Sequence, residues 1–199
     1  MSDMVSIRSA GLSAEISPLG AELFALRDAN GRDLLWVGDP GVWAGRAPIL
    51  FPIVGALAKG QYRLGGQTYA LPKHGFARHA PFEVVASSAA SATFRLSWSQ
   101  ATFAVYPFRF ELDVRFSLED ALLRMTASVR SLEANVDMPA SFGFHPALRW
   151  PLPFGQPRAD HAITFDQDDR ITHFKVMVRP LKAINLLHHL MGARLVKLA

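Results

Sequence analysis

Apolar and polar residues alternate with period two along much of the chain. Residues 5–8 and 12–16 alternate as half-buried strands should, and Pro18 and Gly20 end that pattern. Residues 22–27 read as the next strand, and Asp28-Ala29-Asn30-Gly31 as a hairpin turn. Residues 34–37 form a short apolar run closed by Gly38-Asp39-Pro40-Gly41. Gly65-Gly66 between 61–64 and 67–71 is a two-residue hairpin signal. Further strands are predicted at 82–86, 92–99, 108–117, 122–131 and 161–165. In residues 108–116 an apolar face and a charged face run one step out of phase, as in a sheet wet on one side. Many short strands with Gly and Pro turns predict an all-β sandwich or barrel.

Two stretches depart from this pattern. Residues 43–55 set Pro48 and Pro52 inside an apolar run, and proline cannot donate to a ladder, so no central strand is predicted there. The stretch reads equally as the wall of a pocket or as a loop crossing the core. At the other end, Ile184, Leu187, Met191, Leu195 and Leu198 recur at spacings of three and four, which predicts an amphipathic helix over 183–198 with a basic polar face. Such a helix packs on its own domain or a twin subunit, or meets a partner or membrane surface.

Composition narrows the class. The chain has 199 residues, half of them hydrophobic, which suits one domain with a real core. Net charge is +4, but all 17 acidic residues lie at or before Asp169. Arg170, Lys175, Arg179, Lys182, Arg194 and Lys197 follow with no acid among them. The basic character therefore belongs to the tail, and the body lacks the basic face that nucleic-acid binding requires. Two regions are expected, a β-sandwich over 1–169 and a basic tail over 170–199. There is no cysteine, hence no disulfide, thiolate metal site or cysteine nucleophile. The first residues lack the pattern of a signal peptide, and no apolar stretch approaches a membrane span, so a cytoplasmic location is expected.

No Gly-x-Ser-x-Gly elbow, phosphate loop or dinucleotide fingerprint occurs. His188 and His189 are adjacent and so point apart on a helix, and no metal constellation is expected. What remains is a set of polar residues in apolar loops. His145 lies in Phe142-Gly143-Phe144-His145-Pro146, held by proline among aromatics, which leaves both a structural and an acid–base role open. His74 and Arg78 share a glycine-containing loop that reads as a binding site. Arg46, flanked by Ala, Gly and Pro, needs a partner, and a ligand hydroxyl or phosphate is one candidate. Trp43 and Trp150 offer either core packing or a stacking face for a sugar.

Taken in order, Arg46-Ala47-Pro48-Ile49-Leu50-Phe51-Pro52-Ile53-Val54-Gly55, His74-Gly75-Phe76-Ala77-Arg78 and Gly143-Phe144-His145-Pro146 resemble the aldose 1-epimerase (galactose mutarotase) superfamily, in its bacterial epimerase-like branch. Gly20-Ala21-Glu22-Leu23 and Leu35-Trp36-Val37-Gly38-Asp39-Pro40 fit the opening of that branch. The resemblance covers residues 5–165. It implies an antiparallel β-supersandwich, here incomplete, with a sugar site in a cleft on one face. It also implies interconversion of the α and β anomers of a hexose or hexose 6-phosphate, an isomerase activity of carbohydrate metabolism. His145 matches the general acid on the ring oxygen, and His74 a histidine that orients the sugar near it. Arg46 matches an arginine that binds sugar hydroxyls, and arginines near Arg78 meet the phosphate in branches acting on hexose 6-phosphates. Both steps are proton transfers, so no metal or cofactor is implied.

The family's general base is a glutamate late in a longer chain, and a substrate-binding aspartate also lies beyond the middle. Here no Glu follows Glu133, and no position receives that base by motif. A truncation or alteration after about residue 169 is therefore expected. Two other readings stand beside the enzyme: a non-catalytic carbohydrate-binding remnant, and a β-sandwich interaction module whose basic helix meets a partner. An exposed sheet or the C-terminal helix would supply a homodimer contact.

Overall fold

Alternation of buried and open side chains builds two antiparallel sheets that face each other. The computed structural model describes residues 3–163 with their side chains, and residues 164–165, 176–178, 184–185 and 193–197 as backbone strands. The first sheet runs β1 (Val5–Arg8), β2 (Leu12–Ser17), β3 (Glu22–Asp28), with a register shift between Glu15 and Ile16. Two short elements follow: β4 (Ile49–Leu50) and the hairpin β5 (Gln61–Leu64) and β6 (Gln67–Ala70). The second sheet is formed by β7 (Glu83–Ser87), β8 (Ser91–Ser97), β9 (Phe110–Glu119) and β10 (Leu122–Ser131). Its far edge is a strand from the tail, met below.

The period-two pattern decides which faces meet. Leu12, Ala14 and Ile16 of β2 point inward, as do Phe94 of β8, Phe110 to Leu118 at every second position of β9, and Met125, Ala127 and Val129 of β10. Phe94, Phe110 and Phe116 are fully buried. On the opposite face of β8, β9 and β10, Arg95 forks onto Asp113 at 2.6 and 2.7 Å, and Glu111 pairs with Arg95 and Arg130. That is the wet face expected from residues 108–116. A cleft of about 300 Å³ lies on this polar face, lined by Ser91, Arg115, Ser117, Glu119 and Arg124 among others, and includes neither histidine of interest.

One helix was not anticipated. Ser99 caps α1 (Gln100–Val105) in a reciprocal capping box with Thr102, a local signal masked by the strand pattern before it. The run at 34–37 makes only an isolated bridge from Leu35 to Leu148.

The helix expected over 183–198 is not formed. After β11 (Met138–Ala140), β12 (Gly143–Phe144) and β13 (His161–Phe165), the tail contributes β14 (Val176–Val178), β15 (Ile184–Asn185) and β16 (Ala193–Lys197). β14 pairs with β11, β15 with β10 as that sheet's far edge, and β16 with β13 from His161↔Lys197 to Phe165↔Ala193. A short helix is marginal alone, whereas open strand edges offer every backbone amide and carbonyl a partner. The dimer contact assigned to that helix falls with it. The rest of the interval, His188 and His189, and the 169/170 boundary lie outside the described residues. Among the described residues, no helix is long and apolar enough to cross a membrane.

Candidate active site

The two-proline segment is the core-crossing loop that the sequence allowed. Ala47 to Pro52 is buried and crosses the core, while Trp43, Arg46 and Val54 at its ends remain partly open. Between the prolines, only Ile49 and Leu50 pair as a strand, with Phe144 and Gly143. Ser141 N donates to Pro52 O at 2.8 Å, and Ala147 N to Arg46 O at 2.8 Å. The 141–147 segment is thus laid along the 46–52 segment, and His145 emerges from it exposed.

The His74 loop docks on the other side of the same segment. Phe51 and Gly75 form a parallel bridge, and Phe51 O accepts from Phe76 N at 3.0 Å and Ala77 N at 3.2 Å. Gly75 has φ +70°, and a Cβ there would stand 2.1 Å from Phe51 O, so the chain needs glycine for both conformation and space. His74 itself adopts φ +68°. A left-handed non-glycine residue persists only where its surroundings hold it. Here His74 N donates to Gly55 O at 2.8 Å, and Gly55 N donates back to His74 Nδ1 at 3.0 Å.

That second bond assigns the tautomer. Nδ1 accepts, so the neutral ring carries its proton on Nε2 and offers it outward as a donor. Desolvation, followed by the charges of Lys73, Arg78 and His145, holds the His74 pKa below its ordinary value. The same neutral form is therefore favoured twice.

The His74 and His145 rings lie 6.4 Å apart, 71 positions apart in sequence. Trp43 meets His145 on another side, with centroids 5.3 Å apart and planes at 88°. Arg46 is joined to this group through its carbonyl bond to Ala147. Its guanidinium lies 3.8 Å over the Phe24 ring and donates from Nη1 to Phe24 O at 2.9 Å. Glu22 Oε1 accepts from the amides of Arg46 and Ala47, at 2.8 and 2.9 Å, and so fixes the entry to the segment. Arg78 donates from Nη2 to Lys73 O at 3.0 Å, while its Nε is buried without a partner. Trp150 contacts His161 instead, 5.4 Å between rings.

Sequence reasoning had no assignment for Glu22, Phe24 or Gly55 as supports of the site. Glu22 stood in a motif that the resemblance used, but its partners lie 24 and 25 residues away. Among the described residues, no group of three or more His, Cys, Asp or Glu is placed to hold a metal ion.

Residues 3–183 match the model of the aldose 1-epimerase family. The chain is similar to the chromosomally encoded protein LacX of Lactococcus lactis, 31% identical over 168 residues, which covers 82% of this chain and 56% of LacX. Its structure resembles a galactose mutarotase related enzyme from Lactobacillus acidophilus, with a TM-score of 0.76 and 35% identity over 81% of this chain and 54% of that one. A galactose mutarotase-like protein from Lactobacillus casei aligns with a TM-score of 0.72 and 36% identity, over 74% of this chain and 50% of that one. The chain thus spans about half the length of these relatives. The matched segment contains all four residues singled out from the sequence, and it carries the relatives' mostly antiparallel β fold: the chain belongs to the aldose 1-epimerase family.

Proposed function

We propose that this chain interconverts the α and β anomers of a hexose or hexose 6-phosphate by acid–base opening of the sugar ring. The observation that carries this reading is the pairing of His145 with His74 across 6.4 Å, in a chain of the aldose 1-epimerase family. His145 is the general acid that protonates the ring oxygen O5. His74, neutral and with Nε2–H outward, donates a hydrogen bond that orients the sugar beside it. Arg46 binds sugar hydroxyls through the guanidinium nitrogens not used by Phe24 O. Arg78 binds a 6-phosphate through the guanidinium nitrogen not used by Lys73 O.

In the opening step the O1 proton leaves, the C1–O5 bond breaks and O5 takes a proton from His145. The free aldehyde rotates about C1–C2 and recloses on either face. This reading gives the O1 proton to a water molecule, which returns a proton to O1 on ring closure as His145 recovers its own from O5. The residues assigned to catalysis and binding all lie in the body over 1–169, with which strands of the basic 170–199 segment pair.

The test is anomer exchange, followed by NMR or polarimetry on glucose, galactose and their 6-phosphates. Wild type should relax the anomers faster than buffer and His145→Ala should not. If both match buffer, the enzyme reading is lost. Sugar binding without exchange would instead favour a carbohydrate-binding protein.

A further inference from the structure

The exposed His145 ring has a backbone that is well fixed and a side chain that is not. Pro146 restrains the chain after it, and β12 restrains the chain before it. Among the described residues, no hydrogen bond to either imidazole nitrogen is present. Rotation about the bond to an imidazole is broad, so such a ring samples both faces unless something stops it. A proton donor must present one nitrogen in one direction, and histidines in this role are usually locked by a hydrogen bond to the other nitrogen.

Trp43 provides a different lock. Its indole stands perpendicular to His145 at 5.3 Å, a favoured aromatic geometry. The backbone of Trp43 is held on both sides, and its ring is met by Gly45. Trp43 N donates to Asp39 O at 2.7 Å, in a turn where Gly41 N donates to Asp39 Oδ1 at 2.8 Å. Trp43 O accepts from Trp36 Nε1 at 2.8 Å. Gly45 lies against the ring so closely that a Cβ there would meet Cζ2 at 2.6 Å and Cε2 at 2.8 Å. Nothing in the burial of Trp43 requires this much restraint, since the residue is only half-buried.

We infer that Trp43 is a positioning residue for His145: its indole, seated by Gly45 on a backbone that Trp36 holds through the Trp43 carbonyl, sets the orientation of the imidazole. The inference takes the His145 role from the proposed mutarotase reading, but the contact itself is tested without turnover. In histidine-labelled protein, the His145 ring protons, assigned by their loss in His145→Gln, should be displaced by the indole ring current and show cross-relaxation to it. Trp43→Leu should move them towards the positions of the exposed His79 and abolish the cross-relaxation, leaving His74 unchanged. Trp43→Phe should restore part of the displacement. Gly45→Ala keeps the indole but pushes it away, and should reproduce the Leu result even if Trp43→Leu does not fold. His145 signals identical in wild type, Trp43→Leu and Gly45→Ala would overturn the inference. In the anomer-exchange assay, Trp43→Leu should lower kcat about tenfold with KM within about twofold, because a misdirected donor impairs proton transfer rather than sugar binding. A kcat equal to wild type would likewise overturn it. If wild type shows no exchange while the ring signals respond as stated, the mutarotase reading fails and the positioning contact stands.

Discussion

Gly75→Ala is the sharpest probe of how the site is assembled. The new methyl carbon would sit 2.1 Å from Phe51 O, 2.5 Å from Phe51 C and 2.7 Å from Pro52 Cδ. None of these is the end of a flexible side chain, so the 49–52 segment or the 74–77 loop must move by more than 1 Å to reach van der Waals distance. Placing alanine at φ +70° costs about 1–2 kcal/mol by itself. The movement also breaks the bonds from Phe76 N and Ala77 N to Phe51 O, at about 0.5–1.5 kcal/mol each. The expected loss is about 2–5 kcal/mol, and at 2–4 °C per kcal/mol the midpoint falls by roughly 4–20 °C. Gly65→Ala is the matched control, with φ +55° and nothing within 4 Å, so it pays only the conformational term, about 1–2 kcal/mol. Urea and thermal unfolding, followed by circular dichroism and tryptophan fluorescence, measure both variants. Equal losses within about 0.5 kcal/mol would refute the claim that close approach to Phe51, rather than handedness alone, demands glycine.

Other consequences follow from the same contacts. His74 has its pKa held below 6.5, so between the folded value and 6.5 the unfolded chain binds the extra proton. Its contribution to stability is complete above 6.5 and is lost as pH falls through the folded value; NMR titration should show His74 titrating below 6.5, and a midpoint above 6.5 contradicts the Gly55 bond. Phe94→Ala, at a fully buried position between the sheets, should cost about 3–5 kcal/mol in urea unfolding. Arg95→Gln breaks the fork onto Asp113 on the partly exposed face and should cost under about 1 kcal/mol, less in high salt. A larger or salt-independent effect would mean the ladder matters more than its exposure allows. Tyr106→Phe removes the buried hydroxyl bond to Pro139 O at 2.9 Å and should cost about 1 kcal/mol.

The amino-acid pattern alone determined β1 to β3 and β8 to β10, and which face of β9 is wet. Alternation is a local property, and β8, β9 and β10 each carry it along their length. Turn chemistry did the same for the β5–β6 hairpin, and the ordered motifs at 46–55, 74–78 and 143–146 marked His74, His145, Arg46 and Arg78. Tertiary structure decided the rest. Three- and four-residue spacing in the tail is equally available to a helix, and only the open edges of β10 and β13 turned Ile184–Asn185 and Ala193–Lys197 into strands. The segment with two prolines became a core crossing that docks both loops, because Phe51 O serves the His74 loop while Ile49 and Leu50 serve the His145 strand. The Nε2–H tautomer of His74, the Phe24 platform under Arg46 and the Trp43 edge on His145 all join residues 19 to 102 positions apart. No local pattern encodes such pairs, since each depends on how two separately predictable loops are brought against one buried strand.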